Sequence, residues 1–331
     1  MFGNGGRFWR GENGGSGAPL REALETPRRR SRLGLALGGG AARGWAHIGV
    51  VKALTEAGIR PDIISGTSIG AVVGGCFSAG QLDKIEAFAR SLTRRRVFGL
   101  LDLNFAGSGL ISGNRLGKLL EARLHDTRIE ELTPRFVCVA TELGTGHEVW
   151  MSQGPVVEAM RASYALPGIF QPVRVNHRWL VDGALVNPVP VSAARALGAD
   201  VVIAVNLQSD LFGRGTIVHD RSGDSIAEEA VAEAAAGGLT GNAKTMLRRQ
   251  LIGGSDGPPG ISAVMIEAFN IIQDRIARSR LAGDPPDIMI GPKLGRIGHF
   301  DFHRAEEAID LGYEAARRMA PEIVEVIATL R

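Results

Sequence analysis

Cysteine is scarce in this chain of 331 residues, which has only Cys76 and Cys138. They stand apart in apolar surroundings, Gly75-Cys76-Phe77 and Val137-Cys138-Val139. That spacing excludes a disulfide framework and a zinc site, and the expected role of each is a small buried hydrophobe in a reducing cytoplasm. A strong charge bias is also missing. The formal net charge is +3, and the basic character is local, in Arg28-Arg29-Arg30-Ser31-Arg32 and Arg94-Arg95-Arg96. Such clusters suit contact with an anionic surface, whereas a nucleic-acid groove calls for basic and aromatic residues interleaved along one face. No nucleic-acid partner is expected.

The first thirty residues lack the apolar core of a signal peptide, which speaks against export and for a cytoplasmic location. Rich in Gly, Arg and Asn, residues 1–31 read as a disordered basic tail. Each basic residue in such a tail adds at most about 1 kcal/mol of attraction to anionic lipid. A transmembrane helix is missing as well. Ile63 to Leu82 carries no charge, but Gly66, Gly70, Gly74, Gly75 and Gly80, with Ser65, Thr67, Ser68 and Ser78, dilute its apolarity. A strand, a tight turn and a small-residue helix account for the same letters.

What the chain does have is an alternation of short apolar runs and helical spacing. Leu33 to Leu37 predicts a buried strand stopped by three glycines, and Ala42 to Ala57 a helix closed by Gly58. A second strand and helix follow at Asp62–Ser65 and Ile69–Ala79. Residues 81–125 read as amphipathic helix interrupted by glycine turns at 107–109 and 111–113. Strands are expected at 136–141, 147–151, 173–175, 179–181, 200–206 and 287–290. Helices are expected at 192–197, 263–281, 304–320 and 322–330. The pattern is that of an α/β protein with a mostly parallel sheet covered on both faces. One domain over 32–331 is expected, with 208–262, rich in Gly, Ser, Asp and Ala, as an insertion forming a mobile lid or loop.

Gly66-Thr67-Ser68-Ile69-Gly70 matches Gly-X-Ser-X-Gly between a predicted strand and a predicted helix. The turn there must be sharp enough to expose a hydroxyl, and the flanking Gly66 and Gly70 remove Cβ atoms that would clash. A right-handed crossover sets Gly38-Gly39-Gly40-Ala41-Ala42-Arg43-Gly44 beside Ser68 at the same carboxyl edge of the sheet. Glycines let main-chain N–H groups approach an oxyanion closely, and acyl transfer needs such donors. A phosphate loop is the competing reading, but the Lys-Ser/Thr ending of a P-loop is absent.

A nucleophilic serine needs a base. One arrangement is a triad of Ser68, a later aspartate and His299 or His303. Against it, the α/β-hydrolase fold builds several strands before its nucleophile, and only one precedes the Ser68 strand here. The other candidate is Asp182, at the end of the strand Trp179-Leu180-Val181, where partial burial would have to raise its basicity. Asp182-Gly183 is also a common turn pair.

The ordered set of Gly38–Gly44 with Arg43, Gly66–Gly70 about thirty residues on, and Asp182-Gly183-Ala184 resembles the bacterial branch of the patatin-like phospholipase family. The stretch Ala162-Ser163-Tyr164-Ala165-Leu166-Pro167-Gly168-Ile169-Phe170 is similar to the segment that family carries before its aspartate. The resemblance implies a three-layer α/β/α fold and hydrolysis of fatty-acyl esters of phospholipids or lysophospholipids by a Ser-Asp dyad, with no metal or cofactor. It makes Ser68 the nucleophile, Asp182 the base, Gly38, Gly39 and Gly40 the oxyanion donors, and Arg43 a support for their loop. A lipid substrate implies peripheral contact with the inner face of a membrane. Ala184 stands where many members have glycine, and two alanines precede Arg43. The alternatives are a Ser-His-Asp esterase for soluble esters and a non-catalytic regulatory protein that keeps the fold. Oligomeric state is not encoded in any pattern visible here.

Overall fold

A computed structural model of the chain describes residues 30–100, 109–111, 114–210 and 261–329. The expected tail, apart from residues 30 and 31, and most of the expected insertion lie outside the described residues. Ser31 onward forms one unit.

The strands are β1 (Leu33–Leu37), β2 (Ile63–Thr67), β3 (Gly109–Ile111), β4 (Arg135–Glu142), β5 (Glu148–Met151), β6 (Gly168–Phe170), β7 (Val173–Val175), β8 (Arg178–Asp182), β9 (Val201–Val205) and β10 (Ile288–Ile290). The helices are α1 (Ala46–Glu56), α2 (Ile69–Ser78), α3 (Leu82–Arg90), α4 (Arg94–Leu100), α5 (Asn114–Leu124), α6 (Val156–Ser163), α7 (Val191–Ala196), α8 (Ile261–Gly283) and α9 (Ala305–Thr329). An eight-stranded sheet runs β10-β9-β1-β2-β4-β8-β7, with β5 also on β4. The strands from β10 to β4 are parallel, while β5, β7 and β8 are antiparallel to their neighbours.

Burial on both faces explains the unbroken apolar runs of the parallel strands. Leu35, Leu37, Ile64, Ile203 and Val205 enter the larger core with residues of α1, α2, α6 and α9. Ala36, Ile63, Val202 and Ala204 point the other way, against Val191 and Ala194 of α7 and Ala277 of α8. The result is the three-layer α/β/α arrangement expected.

The register of β4 brings the future site together. Cys138 and Val139 pair with both β2 and β5, and Ala140 and Thr141 with both β5 and β8. A strand has two edges, so β2 and β8 share one of them, end to end. Thr67 closes β2 opposite Val139, and Asp182 closes β8 opposite the next residue, Ala140.

Three details differ from the sequence expectations. The start of the helix expected from Ala42 is a 3-10 turn, Ala41–Trp45, and α1 begins at Ala46. Gly109–Ile111, read as part of a turn region, pairs in parallel with Gly168–Phe170 as a separate two-stranded sheet. The last two helices are a single one, α9, that runs through Pro321. Ala320 and Ile323 on either side of the proline are buried in the core, and this packing holds the axis despite the lost backbone bond.

Candidate active site

Ser68 follows β2 at φ 56° and ψ −123°, in the left-handed half of backbone space. Such a conformation costs a non-glycine residue about 1–3 kcal/mol and persists only when its surroundings impose it. Here the Ser68 N–H donates to Ser163 Oγ at 2.9 Å, and the Ser163 hydroxyl donates to the Val139 carbonyl at 2.6 Å. At Gly70 the Leu37 carbonyl at the end of β1 occupies the space a Cβ would need. A Cβ on Gly66 would fall 2.6 Å from Ala71 Cα in the first turn of α2. Both glycines of the pentapeptide therefore sit where only glycine fits.

The Ser68 hydroxyl donates to Asp182 Oδ2 at 2.6 Å. Asp182 Oδ1 accepts the Ala184 N–H at 2.8 Å, and its carbonyl accepts the Thr141 hydroxyl at 2.9 Å. The side chain is 2% exposed. Burial raises its pKa to about 7, and the bonds from Ser68 and Ala184 pull the other way without cancelling it.

The glycine turn is pinned by two main-chain bonds. The Gly38 N–H donates to the Val205 carbonyl at 3.1 Å, extending the β1–β9 ladder, and the Gly39 N–H donates to the Pro188 carbonyl at 2.9 Å. Those two amides are thus engaged and unavailable to an oxyanion, which corrects the expectation that placed donors at Gly38 and Gly39. Gly40 and Ala41 have N–H groups with no partner among the described residues, and both residues line the cavity beside Ser68. Sequence reasoning passed over Ala41 because it looked only to glycine for close approach.

Arg43 acts behind the turn, away from the cavity. It is buried, its Nε donates to the Ile297 carbonyl at 2.7 Å, and its Nη1 lies 3.0 Å from the His299 ring. The Ala42 N–H donates to the His299 carbonyl at 3.0 Å. Burial, and then the Arg43 charge, push His299 down to about 3. His303 receives Arg94 Nε at 3.2 Å. Neither of these histidines hydrogen-bonds Ser68, so the triad partners weighed in the sequence are committed elsewhere.

His47 was not singled out in the sequence. From the first turn of α1 its Nε2 meets the Gly38 carbonyl at 2.7 Å, and burial holds the ring neutral with a pKa of about 4. The available signal was a histidine in the apolar first turns of a helix directly after the glycine turn.

Ser68 and Asp182 lie in the wall of a cavity of about 150 Å³. Trp45, Val72, Phe88, Val97, Ile169 and Phe269 give it an apolar lining. Among the described residues no group of three His, Cys, Asp or Glu side chains is arranged to hold a metal ion. Cys76 and Cys138 are buried, with thiols pushed up to about 12 by burial.

The profile of the patatin-like phospholipase family matches residues 35–195, which include every element of the site from the glycine turn to Asp182. An NTE family protein of Mycobacterium tuberculosis is 32% identical over 333 residues, covering 89% of this chain and 91% of its own. The chain belongs to the patatin-like phospholipase family. That membership makes it a lipid ester hydrolase. A lysophospholipase, nte1, of Emericella nidulans is 29% identical over 85% of this chain but only 18% of its own length. The solved structure of VipD from Legionella pneumophila aligns with a TM-score of 0.42 at 15% identity, over 89% of this chain and 67% of that one.

Proposed function

We propose that this patatin-like protein hydrolyses fatty-acyl esters of phospholipids or lysophospholipids through a Ser68–Asp182 dyad. The observation that carries the reading is the 2.6 Å bond from the Ser68 hydroxyl to a buried carboxylate at the wall of an apolar cavity. Asp182, with its pKa raised to about 7, is strong enough as a base to take the serine proton directly. Ser68 Oγ attacks the ester carbonyl carbon as its proton moves to Asp182 Oδ2. The tetrahedral oxyanion receives the Gly40 and Ala41 N–H groups. Collapse breaks the ester bond, and Asp182 returns the proton to the departing alkoxide. Water, deprotonated by Asp182, then cleaves the acyl-enzyme and frees Ser68.

The substrate is met at a lipid surface. Helix α8 lines the cavity through Ile266 and Phe269, and its outer face exposes Val264, Met265, Ile271 and Ile272. Exposed Arg94, Arg95 and Arg96 precede Val97, another cavity residue, and complement anionic headgroups. Among the described residues no helix is long and apolar enough to cross a membrane.

A fluorophosphonate probe and a lipid panel, applied to wild type and Ser68→Ala in parallel, test the reading. Labelling at Ser68 and acyl release lost in Ser68→Ala are expected. Undiminished release from the variant would remove the assignment.

A further inference from the structure

Two carboxamides break the apolar lining of the cavity. Asn270 and Gln273, one turn apart on α8, line it while being only 2% and 5% exposed. The helix is anchored over the site farther along, where Arg280 Nε donates to the Val186 carbonyl at 3.0 Å. Ala277 packs in the same cluster as Val189, on the segment that follows Asp182.

Each carboxamide has one half committed and one half to spare. Gln273 Oε1 accepts Gln208 Nε2 at 2.9 Å, leaving Gln273 Nε2 without a partner among the described residues. Asn270 Nδ2 lies 3.2 Å from His299 Nδ1 and 3.3 Å from Glu267 Oε2, leaving its Oδ1 without one. Both side chains line the cavity, and no group among the described residues pairs with Gln273 Nε2 or Asn270 Oδ1. Gln273 lies near the Ser68 turn. A Cβ built on Gly39 would lie 3.6 Å from Ser68 Cβ and 3.8 Å from Gln273 Oε1.

We infer that Asn270 and Gln273 form a polar subsite that reads a free hydroxyl next to the ester, selecting monoacyl over diacyl glycerolipids. The inference rests on the acyl-hydrolase reading of the cavity. A hydroxyl is the group that donates and accepts at once, so it satisfies Asn270 Oδ1 and Gln273 Nε2 together. A second ester at that carbon only accepts, which leaves Asn270 Oδ1 without the donor that the hydroxyl supplies. A headgroup phosphate is not the occupant. Arg43 does not line the cavity, and His299, which does, is neutral with a pKa of about 3.

The test compares the full chain on 1-acyl-glycerophosphocholine and on its analogue with hydrogen in place of the C2 hydroxyl, both as monomers. A p-nitrophenyl ester serves as the third substrate. Wild type is expected to favour the hydroxyl substrate about tenfold or more in kcat/KM. In Gln273→Met, similar in volume, the ratio falls toward one, and the hydroxyl substrate loses more turnover than the p-nitrophenyl ester. Equal rates of wild type on the lysolipid and its deoxy analogue would overturn the subsite, whatever the variant does. So would an undiminished ratio in Gln273→Met. Absence of Ser68-dependent hydrolysis of all three esters would instead overturn the acyl-hydrolase reading, and the subsite with it.

Discussion

Ser68 and Asp182 meet at 2.6 Å although 114 residues separate them, because β4 sets β2 and β8 end to end along one edge. Asp182 is therefore held by sheet register, and its burial follows from standing inside the sheet edge. That burial has a pH signature in both activity and stability.

With Asp182 as the proposed base, turnover needs its carboxylate, whose pKa burial raises to about 7. On the acid side kcat/KM is expected to rise about tenfold per pH unit and to level off above neutrality. A profile measured on a p-nitrophenyl ester checks this, and a plateau already reached at pH 5 contradicts it.

Stability should move in the opposite sense. An unfolded aspartate titrates near 3.9, so between roughly pH 4 and 7 the native state holds a proton that the unfolded state has released. Stability contributed by Asp182 is then lost as pH rises through that window, and the full penalty of a buried carboxylate remains above it. Asp182→Asn removes the charge. Its melting temperature is expected to exceed that of wild type by several °C at pH 8 and to match it near pH 4, while turnover disappears.

The strain at Ser68 can be measured with two inactive variants. Ser68→Ala and Ser68→Gly lose the same hydroxyl, but only glycine relaxes at φ 56°. Ser68→Gly is expected to be more stable than Ser68→Ala by about 1 kcal/mol in chemical denaturation. Equal stability would mean that the turn is not strained.

Much of this site was legible in the letters. Gly-X-Ser-X-Gly between a strand and a helix announced the turn at Ser68, and the apolar runs announced a sheet covered on both faces. Asp182 was harder, because nothing local distinguishes a buried carboxylate from an Asp-Gly turn. It is the pairing of Asp182 with Ala140, a long-range fact, that decides. The proposed oxyanion donors were only partly legible for the same reason. Gly38 and Gly39 look equivalent to Gly40 in sequence, yet Val205 and Pro188 take their amides. Asn270 and Gln273 read as ordinary polar positions of a helix until its placement over the cavity is known.

His47 offers a test of how the glycine turn is held. His47→Leu leaves the Gly38 carbonyl buried without its donor, which costs about 1–3 kcal/mol and loosens the turn that aims Gly40 and Ala41. The expected result is kcat lowered about tenfold with KM nearly unchanged. His47→Gln, which keeps an N–H at similar reach, should restore part of it. Since the ring is neutral above its pKa of about 4, the pH profile between 5 and 8 should keep its shape in both variants.

The outer face of α8 is tested by separating the interface from the chemistry. Met265 and Ile272 are 54% and 47% exposed, and neither lines the cavity. Replacing exposed apolar surface with charge costs the folded protein little. It removes the area that would enter the headgroup region and sets a negative charge against anionic lipid. Met265→Glu and Ile272→Glu together are expected to lower acyl release from anionic vesicles at least tenfold, with p-nitrophenyl ester hydrolysis in free solution within about twofold of wild type. Vesicle sedimentation should show the same loss of binding. If release from vesicles persists, lipid reaches Ser68 by another face, and the exposed α8 residues serve some other contact.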